Sequence, residues 1–185
     1  MVWVYAAPDG AEGLWTEPPR AELTGPDGGT GGEAFGSAVL LFGDYLAVGA
    51  EGASGDSGAL HIFKRSDVDD SVWEHKNILE AGTPVAGSLF GSAVALAEPA
   101  SENKDRLVVG ARGAGGQAGA VHTFQRRGNS QNFDWESEIA ADDGQAGDEF
   151  GATLAASGND LFVGAPLASA AGGAVYHFSW SGGVW

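Results

Sequence analysis

FGSAVLLFGDYLAVGAEGASGDSGALHIF, residues Phe35–Phe63, is the stretch from which the rest of the chain can be read. It recurs as FGSAVALAEPASENKDRLVVGARGAGGQAGAVHTF at Phe90–Phe124 and as FGATLAASGNDLFVGAPLASAAGGAVYHF at Phe150–Phe178. Each copy opens on Phe-Gly, carries Val-Gly-Ala in its middle, and closes on a Gly-Ala-(Leu/Val) run that ends in Phe. A polar connector and a tryptophan follow each copy: Trp73, Trp135 and Trp185. The Phe-Gly pairs start at 35, 90 and 150, so the spacing is 55 and then 60 residues. A period of this size marks a repeat architecture.

Each unit reads as four short strands. The first starts at Phe-Gly (35–42, 90–97, 150–156), the second is YLAVGA, RLVVGA or LFVGA, the third is ALHIF, AVHTF or AVYHF, and the fourth is the Trp segment. Val, Ile, Phe, Tyr and Trp fill the strands while Gly, Asp, Ser and Asn fill the gaps, which is the strand-and-turn pattern. Gly43-Asp44 and Gly158-Asn159 stand where two-residue hairpin turns need positive φ. No segment reads as a helix. The start of the chain, VWVY at 2–5 and then Trp15 with TEPPRAEL, matches strands three and four of a unit, so the chain enters in mid-repeat.

The four strands differ in composition. The first is rich in small residues, as suits backbone crowded near an axis. The fourth is polar, as suits a charged outer edge. The middle two are nearly continuous apolar runs, which implies cover on both faces. Four-stranded antiparallel sheets covered on both faces by copies of themselves are β-propeller blades. The expected fold class is therefore all-β, an incomplete ring of about three to four blades. The expected layout is a half blade at 1–34, blades at 35–79 and 90–140, and at 150–185 a blade lacking most of its outer strand. One such unit cannot bury its faces alone, so stability must come from contacts between units.

Gly makes up 31 of the 185 residues, but at matching places in each copy, so the glycines punctuate turns. The chain carries 25 acidic and 9 basic residues, a net charge of −16. That argues against nucleic-acid or anionic-membrane partners, which require a basic patch. No apolar run approaches the roughly 18 residues that cross a bilayer, so no membrane insertion is expected. There is no Cys, hence no disulfide, thiolate metal site or Cys nucleophile. The first ten residues lack the charged and apolar regions of a signal peptide.

Phe-Gly, then Val-Gly-Ala(-Pro), then Gly-Ala-Val-Tyr-x-Phe resembles the FG-GAP repeat of integrin-α-type β-propellers. The fullest copy is GDEFGATLAASGNDLFVGAPLASAAGGAVYHF at 147–178, with Phe150-Gly151 and Gly164-Ala165-Pro166 in place. The other copies have Glu51 and Arg112 where that Pro stands. The resemblance implies blades set in a ring, loops on one face that bind a protein or glycan ligand, an extracellular or cell-surface location, and a non-catalytic role in recognition or adhesion. It also implies a ring larger than these units fill, and so a piece of a longer protein. Two further readings stand beside it: an accessory propeller of a secreted hydrolase whose catalytic domain lies elsewhere, and self-association of chains to close a ring.

Loops four-to-one and two-to-three would share the binding face: 24–34, 50–58, 80–89, 111–119, 140–149 and 165–172. Asp27, Glu33, Glu51, Asp56, Arg112 and Asp148 are its polar candidates. Many members of the resembled family bind calcium in the turn between strands one and two. Here only the second unit's turn is long enough, and it holds the oxygen donors Glu98, Glu102, Asn103 and Asp105. Arg106 falls where the last carboxylate should be, so a solvated acidic loop is preferred and no cofactor is expected. Asp67, Asp69 and Asp70 lack the Gly that bends a calcium loop and read as turn residues. Asp142-Asp143 and Asp148-Glu149 read as turn caps. His61, His122, Tyr176 and Trp3 share one position and read as an aromatic slot between blades. No Ser-His-Asp order, phosphate loop or HExxH occurs.

Overall fold

The computed structural model describes residues 1–5, 19–25, 32–69, 71–98, 105–126, 132–168 and 172–185. It is all-β. A two-stranded ribbon joins β1 (Val2–Val4) to β2 (Ala21–Leu23). Two four-stranded sheets follow. The first runs β3 (Phe35–Phe42), β4 (Tyr45–Ala50), β5 (Ala59–Arg65) and β6 (Trp73–Leu79) in spatial order. The second runs β7 (Phe90–Ala97), β8 (Arg106–Ala111), β9 (Ala120–Arg126) and β10 (Phe133–Ile139). The third sheet has three strands, β11 (Thr153–Ser157), β12 (Asp160–Ala165) and β13 (Ala174–Ser179). All pairings are antiparallel between neighbours in sequence, so each unit is an up-and-down meander. These are propeller blades, and they do not close a ring.

The turns follow from the residues. Phe42 pairs with Tyr45 and Ser157 with Asp160, so Gly43-Asp44 and Gly158-Asn159 are two-residue connections. Gly43 and Gly158 take φ of +54° and +56°, which a side chain would oppose. Strand one is shorter in the third unit than the Phe-Gly pattern suggests. In β3 and β7 the register slips after Phe35 and Phe90; in the third unit the same irregularity leaves Phe150 as an isolated bridge, and the strand begins at Thr153.

The expectation of no helix is corrected in two places. Ala53–Asp56 (α1) and Ala114–Gln117 (α2) each form a single tight turn between strands two and three. Its core is left-handed: φ is +51° at Ser54, +71° at Gly55 and +64° at Asp56, and +58°, +73° and +69° at Gly115, Gly116 and Gln117. Glycine lowers the cost of this conformation, which is why a Gly-rich loop rather than a periodic apolar pattern encodes it.

The sheets pack face to face. Ala47, Leu60 and Ile62 of the first share a core with Phe90, Leu107, Val109 and Phe124 of the second. Val108 and Val121 of the second share another with Phe150, Leu161 and Val163 of the third. The ribbon lays Val2, Val4 and Leu23 over Leu46, Val48 and Phe63. Within each unit the Phe of Phe-Gly stands edge-on to two rings of strand three. Phe35 meets His61 at 5.4 Å and Phe63 at 6.2 Å. Phe90 meets His122 at 5.4 Å and Phe124 at 5.9 Å. Phe150 meets Tyr176 at 5.2 Å and Phe178 at 6.1 Å. The aromatic slot is thus filled by the unit's own Phe inside the seam. T-shaped pairs of this kind add to plain burial.

Candidate functional site

The loop face is organised by α1 and α2. The left-handed turn directs backbone carbonyls toward the next unit. Asp56 O accepts from Leu89 N (2.9 Å) and Ser57 O from Phe90 N (3.1 Å). One unit on, Gln117 O accepts from Glu149 N (2.8 Å) and Ala118 O from Phe150 N (2.9 Å). Ahead of each Phe stands a residue of positive φ: Ala34, Leu89 and Glu149, at +51°, +54° and +57°. Each turn therefore latches one unit to the next through main-chain atoms, and the side chain of Asp56 is left exposed at the tip.

Of the candidates on this face, Glu51 and Arg112 come together. They occupy the same place in consecutive units, and Arg112 Nε lies 3.3 Å from Glu51 Oε2. Arg112 Nη1 also stands 3.7 Å from Glu149 Oε2 of the third unit. One guanidinium so ties three units, and its hydrogen bond to Glu51 holds it charged above the ordinary arginine range. Glu33 lines a small cleft of about 80 Å³ with Ser54, His61, Ile78 and Glu80. Asp148 is nearly buried and accepts Gln145 N at 2.7 Å, so it caps its own turn. Asp143 accepts the Tyr176 hydroxyl at 2.8 Å. Asp27 lies outside the described residues.

On the opposite face, Glu98 and Asp105 line a cleft of about 310 Å³ with Phe42, Asp44, Tyr45 and Arg126. Asp105 is ion-paired with Arg126 at 2.9 Å. Glu102 and Asn103, the other proposed calcium donors, lie outside the described residues, as does Asp70. Among the described residues no group of three or more His, Asp or Glu side chains is placed to hold a metal ion.

Sequence reasoning missed two arrangements. Arg106, 1% exposed, is held by Glu136 (Nε to Oε2, 2.9 Å) and lies 3.7 Å from the centre of the Trp180 ring. The seam before it carries the mirror pairing, with Arg126 lying 4.9 Å from the Tyr45 ring centre. Tyr45, Arg106 and Asp160 begin strand two of their units; Arg65 and Arg126 close strand three and Trp180 follows it, each with the same backbone bond, to Asp44 O, Asp105 O and Asn159 O. A cation and a ring therefore meet across both seams with their roles exchanged. Three different residue types at one position gave no repeat signal. The second arrangement is a histidine pair: His61 Nδ1 and His75 Nε2 lie 3.2 Å apart, and burial pushes the His75 pKa down.

Glu33, Glu51 and Glu149 are partly exposed on the loop face, and Arg112 balances only part of their charge. Such a surface attracts cationic groups. No protein among curated proteins matches this chain. The FG-GAP repeat family model matches residues 15–63 and 133–178, together just over half of the chain. Both matched stretches run from the outer strand of one unit to strand three of the next. The unit between them repeats the same sheet, seam and aromatic trio. The chain belongs to the FG-GAP repeat family.

Proposed function

We propose that this chain is a non-catalytic recognition segment of an extracellular or cell-surface protein. Its loop face holds a protein or glycan ligand, with basic protein segments preferred. The observation that carries this is the Arg112 junction, where Glu51 of one unit and Glu149 of another converge on one guanidinium. It brings loops from three units into one surface and leaves that surface acidic. Glu33, in the small cleft with Ser54, and Asp56, exposed at the tip of that turn, add carboxylates to the same face. The net charge of −16 supports attraction of cationic partners over distance.

The test is binding of immobilised basic peptides, acidic peptides and neutral glycans to the full chain at two salt concentrations. Basic peptides bind best, salt weakens them, and Glu33→Gln with Asp56→Asn reduces binding several-fold. Binding that is indifferent to these changes, but lost on altering Glu98 and Asp105 on the other face, would overturn the assignment.

A further inference from the structure

The aromatic slot of each unit orients the ring on strand three before strand four contributes anything. Phe35 stands edge-on to His61 at 5.4 Å and 63°, and Phe90 stands edge-on to His122 at 5.4 Å and 65°. The two imidazoles are held in the same way. Opposite His122, strand four sets Glu138, whose Oε2 lies 3.8 Å from Nδ1, beyond hydrogen-bond reach. That nitrogen is sealed with no hydrogen-bond partner among the described residues. Ring packing therefore fixes the imidazole in this slot without help from a hydrogen bond. In the first unit the group that strand four sets beside the slot is a second imidazole, and His61 Nδ1 and His75 Nε2 lie 3.2 Å apart.

A β-bulge makes this meeting. Ile62 pairs with Asn77 but Phe63 with His75, so Lys76 is the extra residue. Without it His75 would stand opposite Lys64 and point to the other face of the sheet. The second unit has the same bulge and sets Trp135 opposite Phe124, so the imidazole pair belongs to the first unit. His61 is nearly buried, and His75 stands at the solvent edge of β6 with its ring edge-on to Phe63 at 5.1 Å. Phe63 itself packs under the ribbon. Burial pushes the His75 pKa down, so that ring keeps a free lone pair at neutral pH. A tetrahedral cation with Zn–N bonds of about 2.0–2.1 Å holds two such nitrogens about 3.3–3.4 Å apart. The pair stands within about 0.2 Å of that separation. His61 also lines the cleft of about 80 Å³ with Glu33 and Glu80. That space admits water, and the two carboxylates favour a cation nearby.

We infer that His61 and His75 form a two-imidazole site for a divalent transition-metal ion of the zinc and nickel class, with water in the remaining positions. Imidazole suits such ions, whereas calcium and magnesium take oxygen donors, so this site is separate from any calcium loop. The contact as it stands shares one proton between the rings. The ion takes that proton's place once the ring carrying it holds its hydrogen on the other nitrogen. A bound ion joins strands three and four at the bulge, where the ladder is interrupted. The site rests on the slot, the bulge and the pair, and not on any loop-face ligand.

Calorimetric titration of the full chain with Zn²⁺ at neutral pH, together with NMR of the imidazole ring nitrogens, tests it. One ion binds per chain, the ring nitrogens of His61 and His75 shift together, and those of His122 stay in place. Ca²⁺ and Mg²⁺ do not compete. His75→Gln, at the exposed edge, and His61→Tyr, which keeps the slot filled as Tyr176 does in the third unit, each weaken Zn²⁺ binding about tenfold or more. Zn²⁺ also raises the urea midpoint of the wild type and leaves that of His75→Gln unchanged. No heat at millimolar Zn²⁺, an ion that shifts only His177, or equal affinity in His75→Gln would overturn the proposal. Loop-face peptide binding is measured with a chelator present, so the two assignments fail independently.

Discussion

Gly110→Ala should destabilise the chain by about 2–3 kcal/mol, while Gly164→Ala, at the same place one unit later, should cost close to nothing. The added methyl on Gly110 would sit 2.1 Å from Gly151 O and 3.1 Å from its carbonyl carbon. A carbon and a carbonyl oxygen rest about 3.3 Å apart or more, so the two sheets must part by about 1 Å. Neither side is a side-chain tip that can swing away. Gly151 is fixed by its N–H to Gly164 O (3.1 Å), and Phe150 beside it is fully buried. A gap of roughly that size forfeits a quarter to a half of each dispersion contact in the seam. Overpacking of this kind costs about 1–3 kcal/mol, more where only backbone can move. Restricting the unfolded chain returns about 0.4–1 kcal/mol. At Gly164 the nearest atom is Thr153 Oγ1, at 2.2 Å. Turning that hydroxyl costs about 0.5–1.5 kcal/mol, which the unfolded-state gain largely offsets. Urea unfolding followed by tryptophan fluorescence, at concentrations that keep the chain monomeric, separates the two. With a slope of about 2 kcal/mol per molar, the midpoints differ by about 1 M. Equal midpoints would refute face-to-face packing through these glycines.

Three further outcomes are expected. Gln117→Gly relieves a left-handed side chain (φ +69°) and raises stability by about 0.5–1 kcal/mol in the same urea assay; Ser54→Gly (φ +51°) acts in the same direction. Arg106→Ala leaves Glu136 facing an emptied interior and removes the Trp180 stack, costing about 3–5 kcal/mol, and Arg106→Lys recovers only part because it cannot hold the carboxylate bidentately. The third concerns pH. Burial pushes the His122 pKa down, partly countered by Glu138, and burial pushes His75 down as well. The unfolded state therefore takes up protons first, near the ordinary histidine value of about 6.5. The stability these groups contribute is complete above that value and is lost as pH falls toward their folded values. His122→Tyr, which copies Tyr176 of the third unit, should flatten the loss between neutral and mildly acid pH in parallel urea titrations.

The repeats were legible because small and aromatic residues sit where backbone geometry leaves no choice. Phe-Gly must pack beneath strand three, and at 90 and 150 its glycine carbonyl lies on the Val-Gly-Ala glycine of the unit before, so the pair recurs at 35, 90 and 150. The hairpin glycines 43 and 158 were legible for the same reason. The left-handed turns were not, because ASGD and AGGQ carry no periodic pattern, and Ser54 and Gln117 give no warning of positive φ. At the loop face, the sequence placed Glu51 and Arg112 in matching loops. Their pairing depends on how far one sheet turns relative to the next, which residue spacing does not encode. Glu149 was read only as a turn cap, yet it completes that junction.

The exchange of roles at the rim shows how such a repeat tolerates drift. At the first seam the ring is on the leading unit and the cation on the following one; at the second seam the order is reversed. A position averaged over the three units would look unconstrained, since it holds Tyr45, Arg106 and Asp160. What the fold constrains is the pair across each seam, because a guanidinium and a ring fill the same gap in either order. Swapping both partners should then be milder than swapping one. Tyr45→Arg with Arg126→Tyr should unfold closer to wild type than either single change, as a coupling energy of roughly 0.5–3 kcal/mol between residues in contact requires. Additive losses would mean that each side chain is held by its own sheet and that the seam chemistry is incidental.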